Sequence, residues 1–406
     1  MTPPTPSPKM PTVTEVLQHP AFPGIVWNLI PDRSGLLPVA EGRGGPFKIS
    51  WEVHGEGPIK IIFIMGLGAL KSAWQRQTLH FGHERRERYS VLVMDNRGMG
   101  DSDKPLMRYS SSEMARDCIE VLQHVGFLPT PSPSSPPASS PSQSPLSSSE
   151  RCLHVVGLSL GGMIAQELAV LIPHHISTLS LCCTAAELEN TTTFTENMAN
   201  RINMLRPKPI QRSVVDTAHQ IFPHSFLLTP DNVHLPTPNV TPKCGPPLRK
   251  SYMPGPGAPS PTLSATATAN ANANQQQTPA EAEYLRFDNN MQRFIAQEMH
   301  KRLNPGSFGL KGFLLQAVAA GWHRKTPAQL KELGDMIGRE RILVMHGTED
   351  NMISPPHGRK LIDRLQPGVG LILEGMGHVP IVERWEWYNN LIEERCALGE
   401  KLDGRA

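Results

Sequence analysis

Residues 154–168 read H-V-V-G-L-S-L-G-G-M-I-A-Q-E-L and hold Gly157, Ser159 and Gly161 in G-x-S-x-G spacing. A serine attacks a carbonyl only when its hydroxyl is exposed and a neighbouring base takes its proton. The spacing suits the first need. Glycines two residues either side remove Cβ atoms where a strand and a helix pass closely, so the serine can stand at the tip of a sharp turn. The N-terminus of the following helix supports negative charge developing beside it. A base and an orienting acid are needed further along. Residues 341–350, R-I-L-V-M-H-G-T-E-D, read as a strand entering an acidic turn. Residues 371–380, L-I-L-E-G-M-G-H-V-P, read as a strand entering a Gly-flanked histidine. Asp350 and His378 thus fall just past strand ends, with Glu349 competing for the acid's place. Of 16 histidines, His378 is selected because it follows the acid by one strand unit. His346 also ends a strand, but it directly precedes Gly347, where a turn or packing role is expected. An oxyanion would need two backbone N–H groups: that of Leu160, after the serine, and one from Met65-Gly66-Leu67-Gly68, assigned to Leu67.

These residues need a frame that brings strand ends together. Short aliphatic or β-branched runs recur at 47–53, 59–65, 90–94, 153–157, 176–182, 342–345 and 369–373. Several are apolar throughout, as in strands covered on both faces. Helical patterns lie between them at 111–125, 162–171, 355–365 and 382–398. Such alternation predicts an α/β fold, a mostly parallel central sheet flanked by helices, with its functional residues at the carboxyl ends of strands.

The chain has 406 residues, 39% of them hydrophobic, which suffices for a large core with insertions. Three stretches are too poor in apolar residues to order themselves: a disordered N-terminus at 1–12 and disordered loops at 129–149 and 253–280. The core is expected to run over 13–186 and resume over 336–406. Between them, 187–335 breaks the alternation and reads as a helical cap. There Tyr284, Phe287, Met291, Phe294, Ile295 and Met299 recur at three- or four-residue steps, an apolar helical face. Phe308, Phe313, Leu314, Leu315 and Trp322 suggest a lipophilic pocket or ordinary cap core.

A net charge of +2 supplies no electrostatic reason for nucleic acid or an anionic membrane as partner. No apolar secretory segment opens the chain, and the longest apolar run, 61–70, is half a membrane span and contains two glycines. A cytoplasmic protein without a transmembrane segment is expected. The six cysteines form no C-x-x-C pair and read as reduced, buried thiols. No metal or organic cofactor is called for.

Four motifs in order resemble the α/β-hydrolase fold family, in its capped type with a helical lid between strands six and seven. They are M-G-L-G at 65–68, D-N-R-G-M-G-D-S at 95–102, the elbow G-L-S-L-G-G, and the pair H-G-T-E-D and G-H. The resemblance runs from about Phe47 to Leu398 outside the two low-complexity loops and extends to uncharacterised fungal members. It implies the chain order Ser, acid, His. It also implies that the acid is the third residue after the Gly of H-G, which is Asp350. Asp95 and Arg97 then belong to a structural turn. Many relatives carry His-Gly where this chain has Met65-Gly66, which changes a side chain beside the oxyanion loop and not its N–H groups. A serine nucleophile, not an aspartate, points away from epoxide hydrolases and haloalkane dehalogenases and toward esterases, lipases and thioesterases. The resemblance thus implies a serine hydrolase acting through an acyl-enzyme on a small-molecule carboxylic ester with a lipophilic part. An acyltransferase, a C–C bond hydrolase or a cofactor-free lyase would use the same triad. A non-catalytic binding protein on this fold would have less reason to keep all three residues.

Overall fold

A computed structural model describes residues 10–130, 151–189, 208–248, 283–304 and 306–405. Eight strands form one sheet: β1 (Arg33–Val39), β2 (Phe47–His54), β3 (Ile59–Ile64), β4 (Tyr89–Met94), β5 (Leu153–Leu158), β6 (Ile176–Cys182), β7 (Ile342–Gly347) and β8 (Val369–Leu373). Their spatial order is β1-β2-β4-β3-β5-β6-β7-β8. β1 and β2 pair antiparallel, as do β2 and β4; every later pairing is parallel. β3, β4, β5, β6 and β7 are wholly or almost wholly buried. Successive side chains then serve opposite faces. Ile62 and Ile64 join one core, with Val155 and Leu179, and Ile61 and Phe63 join the other, with Val156 and Leu158.

The helices Ser111–His124, Leu160–Leu171 and Pro355–Leu365 cover the first face, and Trp385–Leu402 covers the second through Tyr388, Ile392 and Cys396. β1 escapes the sequence pattern. It contains Gly35 and Pro38 and is exposed over much of its length, as an edge strand tolerates.

Between β6 and β7 the described residues include the helices Ile210–Ile221, His224–Leu228, Asn290–Arg302, Leu310–Trp322 and Pro327–Ile337. Two packing facts redraw the expected boundaries. Leu330, Leu333 and Ile337 bury into the main core beside Leu168 and Leu361, so the helix Pro327–Ile337 belongs to the sheet's covering layer and not to the insertion. Conversely, Val13, Val16, Ala21 and Ile25 pack with Val214, Phe222, Met291 and Ile295, so the N-terminal segment joins the insertion's core. Tyr284, Phe287, Met291, Phe294, Ile295 and Met299 are all buried, although the helix itself begins only at Asn290.

Of the stretches read as disordered, residues 1–9, 131–149 and 253–280 lie outside the described residues. Residues 10–12 are a correction. The Thr12 hydroxyl accepts from the Glu15 N–H at 3.2 Å and Glu15 accepts from the Thr12 N–H at 2.7 Å, a reciprocal cap on the helix Val13–Leu17. Gln211 also donates to the Pro11 carbonyl. Among the described residues, all six cysteines are free thiols and no helix is long and apolar enough to cross a membrane.

Candidate active site

The register across β5, β6, β7 and β8 aligns Leu158, Cys182, Met345 and Leu371. The residues that follow these four therefore emerge along one sheet edge. Ser159 is the first of them. Its φ of 59° and ψ of −122° are conformations that side-chain-bearing residues avoid, and it caps the helix Leu160–Leu171. Surrounding bonds hold it there. The Ser159 N–H donates to the Cys182 carbonyl at 2.9 Å, and its carbonyl accepts from the Thr184 hydroxyl at 2.7 Å and the Gly162 N–H at 2.9 Å. The close approach demands glycine. A Cβ at Gly161 would stand 2.1 Å from the Ile64 carbonyl oxygen.

Asp350 follows β7 and His378 follows β8. The loop carrying His378 folds back so that Nδ1 meets Asp350 Oδ2 at 2.7 Å, with both residues buried. The other carboxylate oxygen, Oδ1, accepts from the N–H groups of Met352 and Ile353, each at 2.9 Å. Burial by itself would raise the Asp350 pKa. The charge of His378 and hydrogen bonds from His346 and His378 outweigh it and hold the carboxyl well below the usual carboxylate range. Asp350 is therefore an ionised acceptor, and the proton in the 2.7 Å contact sits on His378 Nδ1. Glu349 is exposed and contributes its N–H to the Met376 carbonyl.

The loop 65–68 lies against the serine. A Cβ at Gly66 would stand 2.9 Å from Ser159 Cβ and 3.4 Å from its Oγ. The Gly68 N–H is taken by Gln316 Oε1 at 2.9 Å. The N–H groups of Leu67 and Leu160 meet no acceptor among the described residues. The turn 95–102 braces this loop from behind. Asn96 Nδ2 donates to the Met65 carbonyl at 2.9 Å, and Asp95 accepts from the Lys71 N–H at 2.7 Å. Arg97, fully buried, grips Asp117 with two bonds of 2.6 Å. Phe313 and Phe308 border Gly68, their rings 6.0 Å apart. Leu314 and Leu315 are half-buried on the same helix. Trp322 is 63% exposed under the Arg108 guanidinium, outside the buried core.

Three contributors escaped the sequence reading. His346, expected in a turn or packing role, donates from Nε2 to the Ile353 carbonyl at 2.7 Å and lies 3.1 Å from Asp350 Oδ2. Its i, i+4 spacing to the acid was the available signal. Glu383 accepts from the Gly377 N–H at 2.8 Å and from the Val379 N–H at 3.0 Å, clamping the backbone either side of His378. Burial pushes its carboxyl up to about 7, against the lowering pull of those N–H groups and of His378. Ile221, at the end of the helix Ile210–Ile221, accepts from the His378 N–H at 2.7 Å, so the insertion supports the same loop. Cys183, just past β6, brings a thiol into this cluster. The donor atoms of Cys183, Asp350 and His378 lie within 4.8 Å of one another.

The family model described as "Alpha/beta hydrolase family" matches residues 53–391. The 3-oxoadipate enol-lactonase 2 of Acinetobacter baylyi is 27% identical over 128 residues, 32% of this chain and 38% of that protein. The matched stretch spans about two fifths of the length of the curated relatives. A hydrolase from Pseudomonas aeruginosa superposes with a TM-score of 0.55 at 17% identity, over 90% of this chain and 98% of that one. An esterase from Thermogutta terrifontis does so with a TM-score of 0.54 at 15% identity, over 89% and 97%. At these identities the two structures establish the likeness of fold.

Proposed function

Because the chain belongs to the alpha/beta hydrolase family, we propose that it is a serine hydrolase cleaving a carboxylic ester with a lipophilic acyl or alcohol part. The reading is carried by one observation, the buried 2.7 Å contact between His378 Nδ1 and Asp350 Oδ2 on the sheet edge that bears Ser159. With its Nδ1 proton held by Asp350, the imidazole keeps the Nε2 lone pair as a base for the serine hydroxyl. Ser159 attacks the ester carbonyl, and the oxyanion is held by the N–H groups of Leu160 and Leu67. His378 returns the proton to the leaving alcohol, which leaves an acyl-enzyme on Ser159. Water, deprotonated by His378, then releases the acid.

The names of related proteins support hydrolysis at a carbonyl, since they include an enol-lactonase and an esterase. Phe308 and Phe313 beside the oxyanion loop support an apolar group near the reacting carbon. The test is labelling with a fluorophosphonate, followed by turnover of p-nitrophenyl esters of rising chain length. Ser159→Ala should abolish labelling and lower kcat by roughly 10⁴ or more. Full labelling of the variant would transfer the role to another serine.

A further inference from the structure

Cys183 takes no part in the ester chemistry, yet it stands within the cluster that performs it. It is the first residue past β6, with a left-handed φ of 46°. Its N–H donates to the Met345 carbonyl at 2.8 Å, and its Sγ lies 3.8 Å from the carbonyl oxygen of Gly377, the residue before His378. Sulfur, carboxylate oxygen and imidazole nitrogen then converge from three different strand ends, all buried and all within 4.8 Å of one another. Tetrahedral Zn²⁺ bonds of about 2.0–2.3 Å set neighbouring donors roughly 3.3–3.7 Å apart, so small side-chain shifts would close such a site.

We propose that Cys183, Asp350 and His378 form a site for a soft divalent cation, Zn²⁺ or Cd²⁺, whose binding switches the enzyme off. The inhibitory half of the proposal rests on the serine-hydrolase reading. The donor set suits these ions, which favour thiolate and imidazole together, and not Mg²⁺ or Ca²⁺, which require oxygen. Charge also balances: one thiolate and one carboxylate neutralise a dication in a buried place where an uncompensated charge is costly.

The proton balance explains the inhibition. The ion takes the thiolate of Cys183, whose proton leaves to solvent. It replaces the proton on His378 Nδ1, and the neutral ring carries its proton on Nε2 instead. One proton is released in all. A protonated Nε2 has no lone pair for the serine hydroxyl, and Asp350 no longer orients the ring. The ion therefore removes the base and its orienting acid in one step.

The experiment uses the full-length protein after chelator treatment. Cd²⁺ titration should raise a thiolate-to-cadmium charge-transfer band in the ultraviolet, saturating at one equivalent. Zn²⁺ should inhibit p-nitrophenyl ester turnover over a matching range. Cys183→Ser should keep turnover within about twofold. It should lose that band and need about 100-fold more Zn²⁺ for inhibition, since even an outer-shell partner of a metal site is worth about 10- to 100-fold. Cys183→Ala serves if the serine variant does not fold. Ser159→Ala should retain the band while losing turnover. Turnover surviving in Ser159→Ala would overturn the serine reading, whereas the band tests the metal site by itself. Equal zinc sensitivity in Cys183→Ser and the parent, or no band in the parent at saturating cadmium, would overturn the proposal.

Discussion

Replacing Glu383 by Gln asks whether the loop bearing His378 is actively held. The two carboxylate oxygens accept from Gly377 and Val379 at 2.8 and 3.0 Å, with His378 between them. Glutamine has the same length but only one acceptor oxygen, so one N–H would face an NH₂ group. A buried donor stranded in this way costs about 1–3 kcal/mol. If the loop relieves that cost by moving, the loss appears in the alignment of the imidazole. At about 1.4 kcal/mol per factor of ten, kcat should fall roughly 5- to 150-fold with KM little changed. Stability should respond differently. The Glu383 pKa is raised from 4.5 to about 7 by burial, so between those values the folded state binds more protons than the unfolded one. Its contribution is thus fully present below about pH 4.5 and is lost as pH rises through about 7, a change of order 3 kcal/mol. The Glu383→Gln variant lacks this titration. Urea denaturation at pH 5 and pH 8 should therefore show the variant gaining on the parent as pH rises, while steady-state kinetics show kcat reduced. A variant with parental kcat would refute the clamp, and a stability difference that does not change with pH would refute the raised pKa.

Asp350→Asn should lower kcat by roughly 10³ to 10⁴, because its NH₂ would face two imidazole donors and favour the wrong His378 tautomer. Glu349→Gln, at an exposed position, should leave kcat nearly unchanged, and the reverse ranking in steady-state assays would assign the acid to Glu349. Gly66→Ala places a Cβ 2.9 Å from Ser159 Cβ, so the loop 65–68 must retreat. A fall in kcat of about 10² or more with an unchanged circular dichroism spectrum is expected; full activity would mean that the loop does not serve the oxyanion. Replacing residues 131–150 by a short Gly/Ser linker should leave kcat/KM within about twofold, since the chain re-enters β5 at its amino end, opposite Ser159. An inactive but folded product would place that tract at the active site.

The parts of this protein that are legible in its sequence are those whose demands are local. Gly157 must lack a Cβ atom because the strand and helix touch within five residues of each other, with the Gly161 carbonyl oxygen 2.3 Å from where that Cβ would stand, so the elbow reads directly. The all-apolar runs of β3, β5 and β7 follow from burial on both faces, and the alternation with helices then dictates a parallel sheet. Where local chemistry is mute, the sequence misleads. The edge strand β1 was missed because its exposed backbone tolerates Gly35 and Pro38 and needs no apolar pattern. Trp322 is apolar in type yet faces solvent beneath Arg108.

The tertiary structure decided the rest. The packing of the helix Pro327–Ile337 into the main core, and of residues 13–25 onto the insertion, depends on which faces happen to meet. The meeting of His378 with Asp350, and of Cys183 with that pair, depends on how the loop after β8 folds back over β7. The physical reason is the same in each case. Periodicity and turn chemistry act along the chain over a few residues. A carboxylate's partners and a thiol's neighbours are set by crossovers between segments up to about 200 residues apart, on which residue spacing carries no information.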